Sequence, residues 1–256
     1  MVADESGRNV IKSDVKLLAI LERVRENQEV GVTEIAADLD MAKSTVHAHL
    51  NTLEREGYVV KEGSLYRLGL RFLSLGISVR EEWPGFEMIR EKVDELAADT
   101  GERVQFIVEE HGYGVYVYRA VGESAVETDS RVGKRVPLNA ISAGKAILAF
   151  VDEERIAEIV DDIGLPGLTE NTITDPDVLR SELEGIRKHG FARNVEESTE
   201  GLRAVGVPIL NPDGTVIGAI SVSGPSHRLT DETFEQEIPN LILGAVNEIE
   251  LKLRFS

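Results

Sequence analysis

Two stretches of the sequence carry side chains whose types and spacing could support recognition or catalysis. In the first, Val46, Leu50 and Leu53 fall on one face of a helix at ~100° per residue and predict its buried side. The opposite face then presents Ser, Ala, Asn and Arg side chains. This set suits the DNA major groove, because Asn can bond adenine through two atoms, Arg can bond guanine, and small side chains can meet thymine methyl groups.

We therefore predict a DNA-contacting set on this helix and on the hairpin that follows it, whose basic and hydroxyl side chains suit phosphates. The predicted residues are Lys43, Ser44, Thr45, His47, Ala48, Asn51, Thr52, Arg55, Lys61, Ser64 and Arg67. His47 and His49 lie two residues apart on a helix and point in different directions, so no metal site is predicted there.

The second stretch is Val136–Ala149, where Asn139 and Ser142 precede an apolar helical run. Gly144 is expected to let the backbone approach a ligand, and free N–H groups at a helix start can hold a carboxylate or phosphate. Ser142 and Lys145 also form a Ser-x-x-Lys pattern, as in serine acyl-transfer enzymes. The companion Ser-Asp-Asn and Lys-Thr-Gly elements and a Gly-x-Ser-x-Gly elbow are missing. We predict that the protein is not an enzyme; a hydrolase built on this pair is the enzymatic alternative.

The elements around the first stretch follow a recognisable order. Ser13 and Thr33 are predicted N-caps of two helices, a third helix spans about residues 43–56, and strand-like runs at 58–60 and 65–68 flank a glycine-containing turn. Helix, helix, short turn, helix and hairpin predict a winged helix-turn-helix.

After residue 101 strands and helices mix, which predicts an α+β fold with an antiparallel sheet. Strands are predicted at 104–108, 115–118, 204–210 and 216–221, and helices at 143–150, 153–159, 178–188 and 233–253. Asp175 and Pro176 have the residue types of a helix N-cap followed by its first residue.

Composition narrows the class of protein. The 256 residues include no Cys, which excludes disulfides, thiolate zinc sites and Cys nucleophiles. The N-terminus is polar and no apolar run approaches the ~18 residues of a membrane span, so we expect a cytoplasmic protein with no membrane partner. The net charge is −18, but residues 1–80 hold 11 basic against 12 acidic residues, so the acid lies mainly outside the first third. Such an acidic surface predicts a halophilic source.

Several motifs together resemble the IclR family of bacterial and archaeal regulators, over a match from about Ser13 to the final helix. The motifs are Leu138-Asn139, Gly144-Lys145-Ala146, Leu148-Ala149, Glu196-Glu197, Gly201-Leu202-Arg203, Pro208, Asp213-Gly214 and Gly218 through Pro225. The resemblance implies an N-terminal winged helix and a C-terminal GAF-like α/β effector domain. It also implies DNA binding as a homodimer or homotetramer, and repression or activation of catabolic genes. Together with the acidic composition, it indicates a halophilic archaeal source.

The resemblance further implies an effector cavity for a small organic acid, an aromatic acid or a sugar-derived metabolite. Its lining would be Ser142, Ala143, Asn194, Leu202, Ala204, Ser221 and Ser223. Ser221 and Ser223 are two apart on a strand and so share a face. Relatives with Asp at position 194 present a charge there; the neutral Asn194 disfavours small 2-oxo acids and favours larger or more neutral ligands. Without Cys, the metal that some relatives hold is not expected, and no cofactor is predicted.

The predicted domains are a DNA-binding domain at 1–70, a linker helix at 71–82 and an effector-binding domain at 83–256. The predicted function is a ligand-responsive regulator that binds a pseudo-palindromic operator through the helix at 43–56 and the wing. The alternative is a small-molecule sensor whose winged helix serves only protein–protein assembly. For Glu196, Glu197 and Arg203 the sequence leaves structural pairing and a functional role equally open.

Overall fold

The computed structural model describes residues 2–3, 9–126 and 129–255. The chain divides into two compact units, which we call the head (Met1–Glu82) and the sensor unit (Trp83–Ser256). The elements of the head are β1 (Val2–Ala3), β2 (Asn9–Val10), α1 (Lys12–Asn27), β3 (Val30–Gly31), α2 (Val32–Asp38), α3 (Lys43–Arg55), β4 (Val59–Glu62), β5 (Leu65–Leu68) and α4 (Arg71–Glu81).

The head is the predicted winged helix-turn-helix. Ile20 of α1, Ile35 of α2 and Leu50 of α3 are fully buried against each other and against Tyr66 of β5. The predicted hairpin forms from β4 and β5, and the short strand β3, which the sequence did not predict, pairs with β5 so that Val30 lies opposite Tyr66.

The predicted N-caps of α1 and α2 are wrong. Ser13 lies inside α1, where its hydroxyl donates to Asp14, and Thr33 lies inside α2. The actual N-cap residues are Ile11 and Gly31, which are extended and make no side-chain capping bond. Each directly follows or ends a short strand. Strand geometry therefore sets where each helix begins, and the side chains that favour capping fall two residues too late.

The sensor unit is built around one antiparallel sheet. Its elements are α5 (Phe86–Thr100), β6 (Arg103–Glu110), β7 (Tyr113–Val121), β8 (Arg135–Pro137), a 3₁₀ turn (Leu138–Ala140), α6 (Ser142–Leu148), α7 (Glu153–Ile163), α8 (Pro176–His189), β9 (Ala192–Val195), β10 (Leu202–Leu210), β11 (Val216–Pro225), a π-helical turn (Thr233–Glu237) and α9 (Ile238–Leu253). The strand order is β8-β7-β6-β11-β10-β9. The predicted α+β fold with an antiparallel sheet is confirmed.

Alternation along the strands gives the sheet two buried faces. Val104, Phe106 and Val222 point to the face covered by α5 and α9, where they join one apolar core. Ala219 and Ile107 point to the other face, where α6, α7 and α8 form a second core. Gln105, Asn194, Ser221 and Ser223, which line the cavity described below, lie on this second face, so the sheet positions them by register rather than by sequence proximity.

The start of α8 follows the predicted chemistry. Asp175 Oδ1 accepts hydrogen bonds from the backbone N–H groups of Asp177 (2.8 Å) and Val178 (3.0 Å), and Pro176 occupies the first helical position. This cap succeeds where Ser13 and Thr33 fail, because no strand directly precedes it.

Candidate DNA-reading face and effector cavity

The exposed face of α3 carries the predicted DNA-contacting side chains. Val46, Leu50 and Leu53 are buried. The exposed predicted residues are Lys43, Ser44, His47, Ala48, Asn51, Thr52, Arg55, Lys61 and Ser64, while Thr45 and Arg67 are partly buried. The helix therefore has the division of apolar and polar faces that its sequence predicts.

Local bonds orient part of this face. Asn51 Nδ2 lies 3.2 Å from His47 Nδ1, one helical turn away, and leaves the amide oxygen of Asn51 unused by that contact. The hydroxyl of Thr52 donates to the carbonyl of Ala48 (3.1 Å), so it is turned back onto its own helix. Arg55 and Arg67 each form an ion pair with a neighbouring carboxylate, which the sequence did not predict.

The sensor unit contains a cavity of about 140 Å³ between the second sheet face and the start of α6. All seven predicted effector residues line it: Ser142, Ala143, Asn194, Leu202, Ala204, Ser221 and Ser223. Sheet register explains the grouping, because Ala204 of β10 lies opposite both Ser223 of β11 and Asn194 of β9. The sheet and the start of α6 together bring predicted residues up to 81 positions apart in the chain, Ser142 and Ser223, to one cavity.

The predicted polar residues of the cavity differ in their hydrogen-bond partners. The hydroxyls of Ser142 and Ser221 lie 3.1 Å apart and share one hydrogen bond. Asn194 donates from Nδ2 to the carbonyl of Ala140 (2.7 Å), and its Oδ1 accepts from the N–H of Glu197 (3.1 Å). Asn194 therefore joins β9 to the 3₁₀ turn and to the loop after β9, a structural role that the sequence did not predict.

Several further residues line the cavity and were missed. They are Gln105, Ile107, Tyr116, Asp129, Ser130, Lys134, Val136, Ile141, Leu168, Ser198 and Thr199. Gln105 is 5 % exposed and lies opposite Ser221, so the pairing of β6 with β11 places its amide at the cavity. Its position within the predicted strand 104–108 was the available signal, but only the register shows which face of the sheet it lies on.

Two of these missed residues are titratable and have defined surroundings. Burial raises the pKa of Tyr116 to about 12, with the charge of Arg103 opposing the effect. The Lys134 Nζ donates to the backbone carbonyl of Asp129 (2.6 Å) and to its carboxylate (2.9 Å). The lysine at the cavity is thus already paired with an acid.

Gly144 does not face the cavity as expected. A Cβ at this position would lie 2.2 Å from the carbonyl oxygen of Leu138, so the glycine lets α6 pack against the 3₁₀ turn. The close approach near the cavity occurs instead at Gly206 of β10, where a Cβ would lie 2.6 Å from the backbone nitrogen of Ala143. The absence of a side chain at Gly206 therefore lets the start of α6 pack directly against β10.

Lys145 does not pair with Ser142. Its side chain is 1 % exposed, and its Nζ lies 2.7 Å from Glu197 Oε2 and 3.1 Å from Glu182 Oε1. Burial raises the pKa of the Glu197 carboxyl, and the Lys145 charge opposes that rise. The Ser-x-x-Lys pattern thus contributes one hydroxyl to the cavity and one ammonium to a buried ion cluster, so Lys145 is not placed to act as a base for Ser142.

The remaining motif residues also form structural pairs. Glu196 Oε2 accepts from the N–H of Gly201 (3.0 Å) and its Oε1 from Ser226 (2.9 Å), and these bonds lower its pKa. Arg203 lies 2.8 Å from Asp231 and stacks over Phe234. The sequence left structural pairing and a functional role equally open for Glu196, Glu197 and Arg203. The contacts observed here are structural pairs.

Neither metal-ligand clusters nor membrane helices occur in the part of the chain that the structure describes. No group of three or more His, Cys, Asp or Glu side chains there could hold a metal ion. Across the same residues, no helix is long and apolar enough to span a bilayer.

Comparison with protein families decides the affiliation. A profile described as the IclR helix-turn-helix domain matches residues 15–63, and one described as the bacterial transcriptional regulator IclR C-terminal matches residues 85–251. The chain belongs to the IclR family. It is a ligand-responsive transcriptional regulator with a DNA-binding helix-turn-helix domain and a C-terminal effector-binding domain.

Curated IclR-family relatives match along most of their length. A Halobacterium salinarum protein described as a probable HTH-type transcriptional regulator, ArcR, is 32 % identical over 95 % of this chain and 94 % of its own. The HTH-type transcriptional regulator KdgR of Escherichia coli is 30 % identical over 90 % of this chain and 89 % of its own.

Solved IclR-family structures share the fold. The Thermotoga maritima IclR structure has a TM-score of 0.80 and 33 % identity, covering 94 % of this chain and 98 % of that one. An IclR homologue from Microbacterium hydrocarbonoxydans, crystallised with 4-hydroxybenzoate, has a TM-score of 0.77 and 25 % identity over 94 % of this chain and all of that one.

Proposed function

We propose that this regulator reads a pseudo-palindromic operator through α3 and the β4–β5 wing. The observation that carries the proposal is the two-sided character of α3, with Leu50 buried in the head while Asn51 and Arg55 are exposed. Asn51 would bond adenine, Arg55 would bond guanine, and Lys43, Lys61 and Ser64 would bind phosphates.

We propose that the effector occupies the cavity of the sensor unit. Hydroxyls and the two amides of Gln105 and Asn194 supply most of its polar groups, and its lysine, Lys134, is paired with Asp129. This chemistry favours a small hydroxylated molecule with at most one negative charge, which includes sugar-derived and hydroxylated organic or aromatic acids. The neutral side chain of Asn194 favours a larger ligand, whereas the cavity volume of about 140 Å³ favours a small one. Such a ligand alters operator affinity only through its different affinities for two states of the protein.

We propose that the regulator works as a homodimer or as a tetramer of two dimers. None of the residues of α4 is buried within the chain, and Leu73, Leu75 and Val79 are exposed, as is Leu70 directly before the helix. Exposed apolar side chains at this density favour burial against a second copy. A twofold-symmetric pair of heads would match the two half-sites of a pseudo-palindrome. Residues 71–82 would then act as the linker helix between a DNA-binding domain and an effector domain.

We further propose a cytoplasmic, non-enzymatic regulator of catabolic genes from a halophilic organism. The net charge of −18 and a relative in Halobacterium salinarum both favour the halophilic source. The pairing of Lys145 with glutamates argues against a serine hydrolase, because the lysine is not available to activate Ser142.

The test is selection of bound duplexes from a random-sequence pool, followed by fluorescence anisotropy at several KCl concentrations up to molar. We expect one enriched pseudo-palindrome bound in preference to scrambled duplex. Asn51→Ala should fold and assemble normally but lose roughly 1–3 kcal/mol of discrimination at one base position. Enrichment of no sequence at any salt would refute the operator proposal and favour the sensor module whose head serves protein assembly. Unchanged specificity in Asn51→Ala would refute base reading by that residue.

A further inference from the structure

Two arginines of the proposed DNA face are held by carboxylates. Nε and Nη2 of Arg55 both lie 3.0 Å from Glu56 Oε1, and the same two atoms of Arg67 lie 2.8 Å from Glu62 Oε1. The side chains are 78 % and 48 % exposed in the first pair and 41 % and 56 % in the second, so both pairs face solvent.

Backbone geometry keeps each pair together. Arg55 is the last residue of α3 and Glu56 caps the helix. In the hairpin, Arg67 lies opposite Val60, two residues before Glu62, so Arg67 and Glu62 share one face of the wing as diagonal neighbours. The two acids therefore sit beside the two arginines because of where the helix ends and how the wing strands pair.

A carboxylate and a phosphate offer the same kind of anionic oxygen to a guanidinium group. Exposed ion pairs are weak in water and readily exchange partners. We propose that, on DNA without an operator, Glu56 and Glu62 compete with DNA phosphate for Arg55 and Arg67, and so set how tightly the head binds such DNA. This inference rests on the proposed function of the head. On binding, each arginine leaves its carboxylate for the DNA, and the released acid remains nearby to oppose the phosphates.

The chain supplies a matched control for each acid. Glu54 is exposed on the same helix, next to Arg55, but it pairs with no basic side chain in the described part of the head. Its replacement by Gln changes the net charge as much as Glu56→Gln or Glu62→Gln does, without releasing an arginine. The comparison separates the general effect of charge from competition for a specific cation.

The experiment measures binding of the full-length protein to a random-sequence duplex by anisotropy across a KCl series, so no operator is needed. We expect Glu56→Gln and Glu62→Gln each to tighten binding at low salt by about two- to fivefold more than Glu54→Gln does. Each should also steepen the slope of log K against log salt by up to about 0.9. The double variant should combine both gains, because the two acids hold different arginines.

A mutant cycle gives the decisive second measurement. In an Arg67→Ala background, Glu62→Gln should tighten binding no more than Glu54→Gln does, because no arginine remains to be released. Thermal melting should be nearly unchanged in every variant, since none of these side chains is buried.

The outcomes separate this inference from the proposed function. A wild-type protein that binds no duplex at any salt would overturn both. A wild-type protein that binds DNA, with Glu56, Glu62 and Glu54 variants that behave alike, would overturn the competition alone. A gain from Glu62→Gln that persists in Arg67→Ala would overturn it as well.

Discussion

The polar side chains of the head and those of the sensor unit lie in opposite environments. On α3 and the wing, Asn51, Arg55 and Arg67 contact solvent and bond near neighbours on the same helix or hairpin. In the sensor unit, Lys145 and Glu197 are almost fully buried and join elements 52 residues apart. Exposed pairs contribute at most about 1 kcal/mol each, whereas breaking a buried pair costs several. The head thus keeps its polar groups available for a partner, and the sensor unit uses them to fix its backbone.

The largest expected effect comes from breaking the buried cluster. Lys145→Met should lower the free energy of unfolding by about 3–5 kcal/mol, because Glu197 would keep a buried charge without its partner. The loss should be larger at pH 8 than at pH 5. Burial already raises the pKa of Glu197 in the folded protein, so stability is lost as rising pH ionises it, and removing the lysine enlarges that loss. Urea unfolding at the two pH values measures both effects.

The paired replacement serves as the control. Lys145→Met with Glu197→Gln removes both charges, so it should be clearly more stable than Lys145→Met alone. A loss below about 1 kcal/mol in the single variant would mean that the sensor unit tolerates an unpaired Glu197 much as the head would tolerate an unpaired Glu56. The contrast between the two regions would then fail.

A smaller effect is expected at Tyr116, a buried neutral group at the cavity. Its pKa of about 12 lies above the ordinary value of 10, so the folded state favours the neutral phenol. The neutral phenol's full contribution to the free energy of unfolding is present below about pH 10. As the pH rises to about 12, roughly 2–3 kcal/mol of that free energy is lost. Tyr116→Phe should therefore lose that much less stability than wild type between pH 9 and 12. Urea unfolding along this series measures it, and identical pH dependence in the two proteins would contradict the buried position of the phenol.

The same contrast explains what the sequence could predict. The two faces of α3 follow from local periodicity, so Leu50 and Asn51 could be placed correctly without a structure. Resemblance to a family located the seven cavity residues. Alternation placed Ser221 and Ser223 on one face, but the amide of Gln105 joins them only through the register of β6 with β11.

The failures share a physical cause, which is that a tertiary contact overrides a local preference. Gly144 lies against the backbone of Leu138 and not at the cavity, and Lys145 pairs with Glu197 instead of Ser142. Short strands such as β3 and β9 have too few residues to show alternation. They form because a neighbouring strand offers a partner, which no local pattern reveals.

The smallest stability effect is expected at Ser221, whose buried hydroxyl lines the cavity and does not hold the sheet and helices together. Ser221→Leu should cost at most about 1 kcal/mol of folding free energy, because the added carbons enter open space and only the hydrogen bond to Ser142 is lost. Operator binding should be retained. The response to effector should disappear, because the leucine would occupy the ligand's volume.

The measurement first screens hydroxy acids, neutral polyols and aromatic acids by thermal shift of the wild type, then tests each hit for its effect on operator anisotropy. The Ser221→Leu protein should melt near the wild-type temperature and bind operator normally, yet show no shift with any hit. A normal response in that protein would place the effector site elsewhere. A large loss of stability would instead move Ser221 into the same class as Lys145, a buried polar group that the fold requires. The expected result separates two kinds of buried polar group in one unit: those that hold the sheet and helices together, and those left free for a ligand to bind.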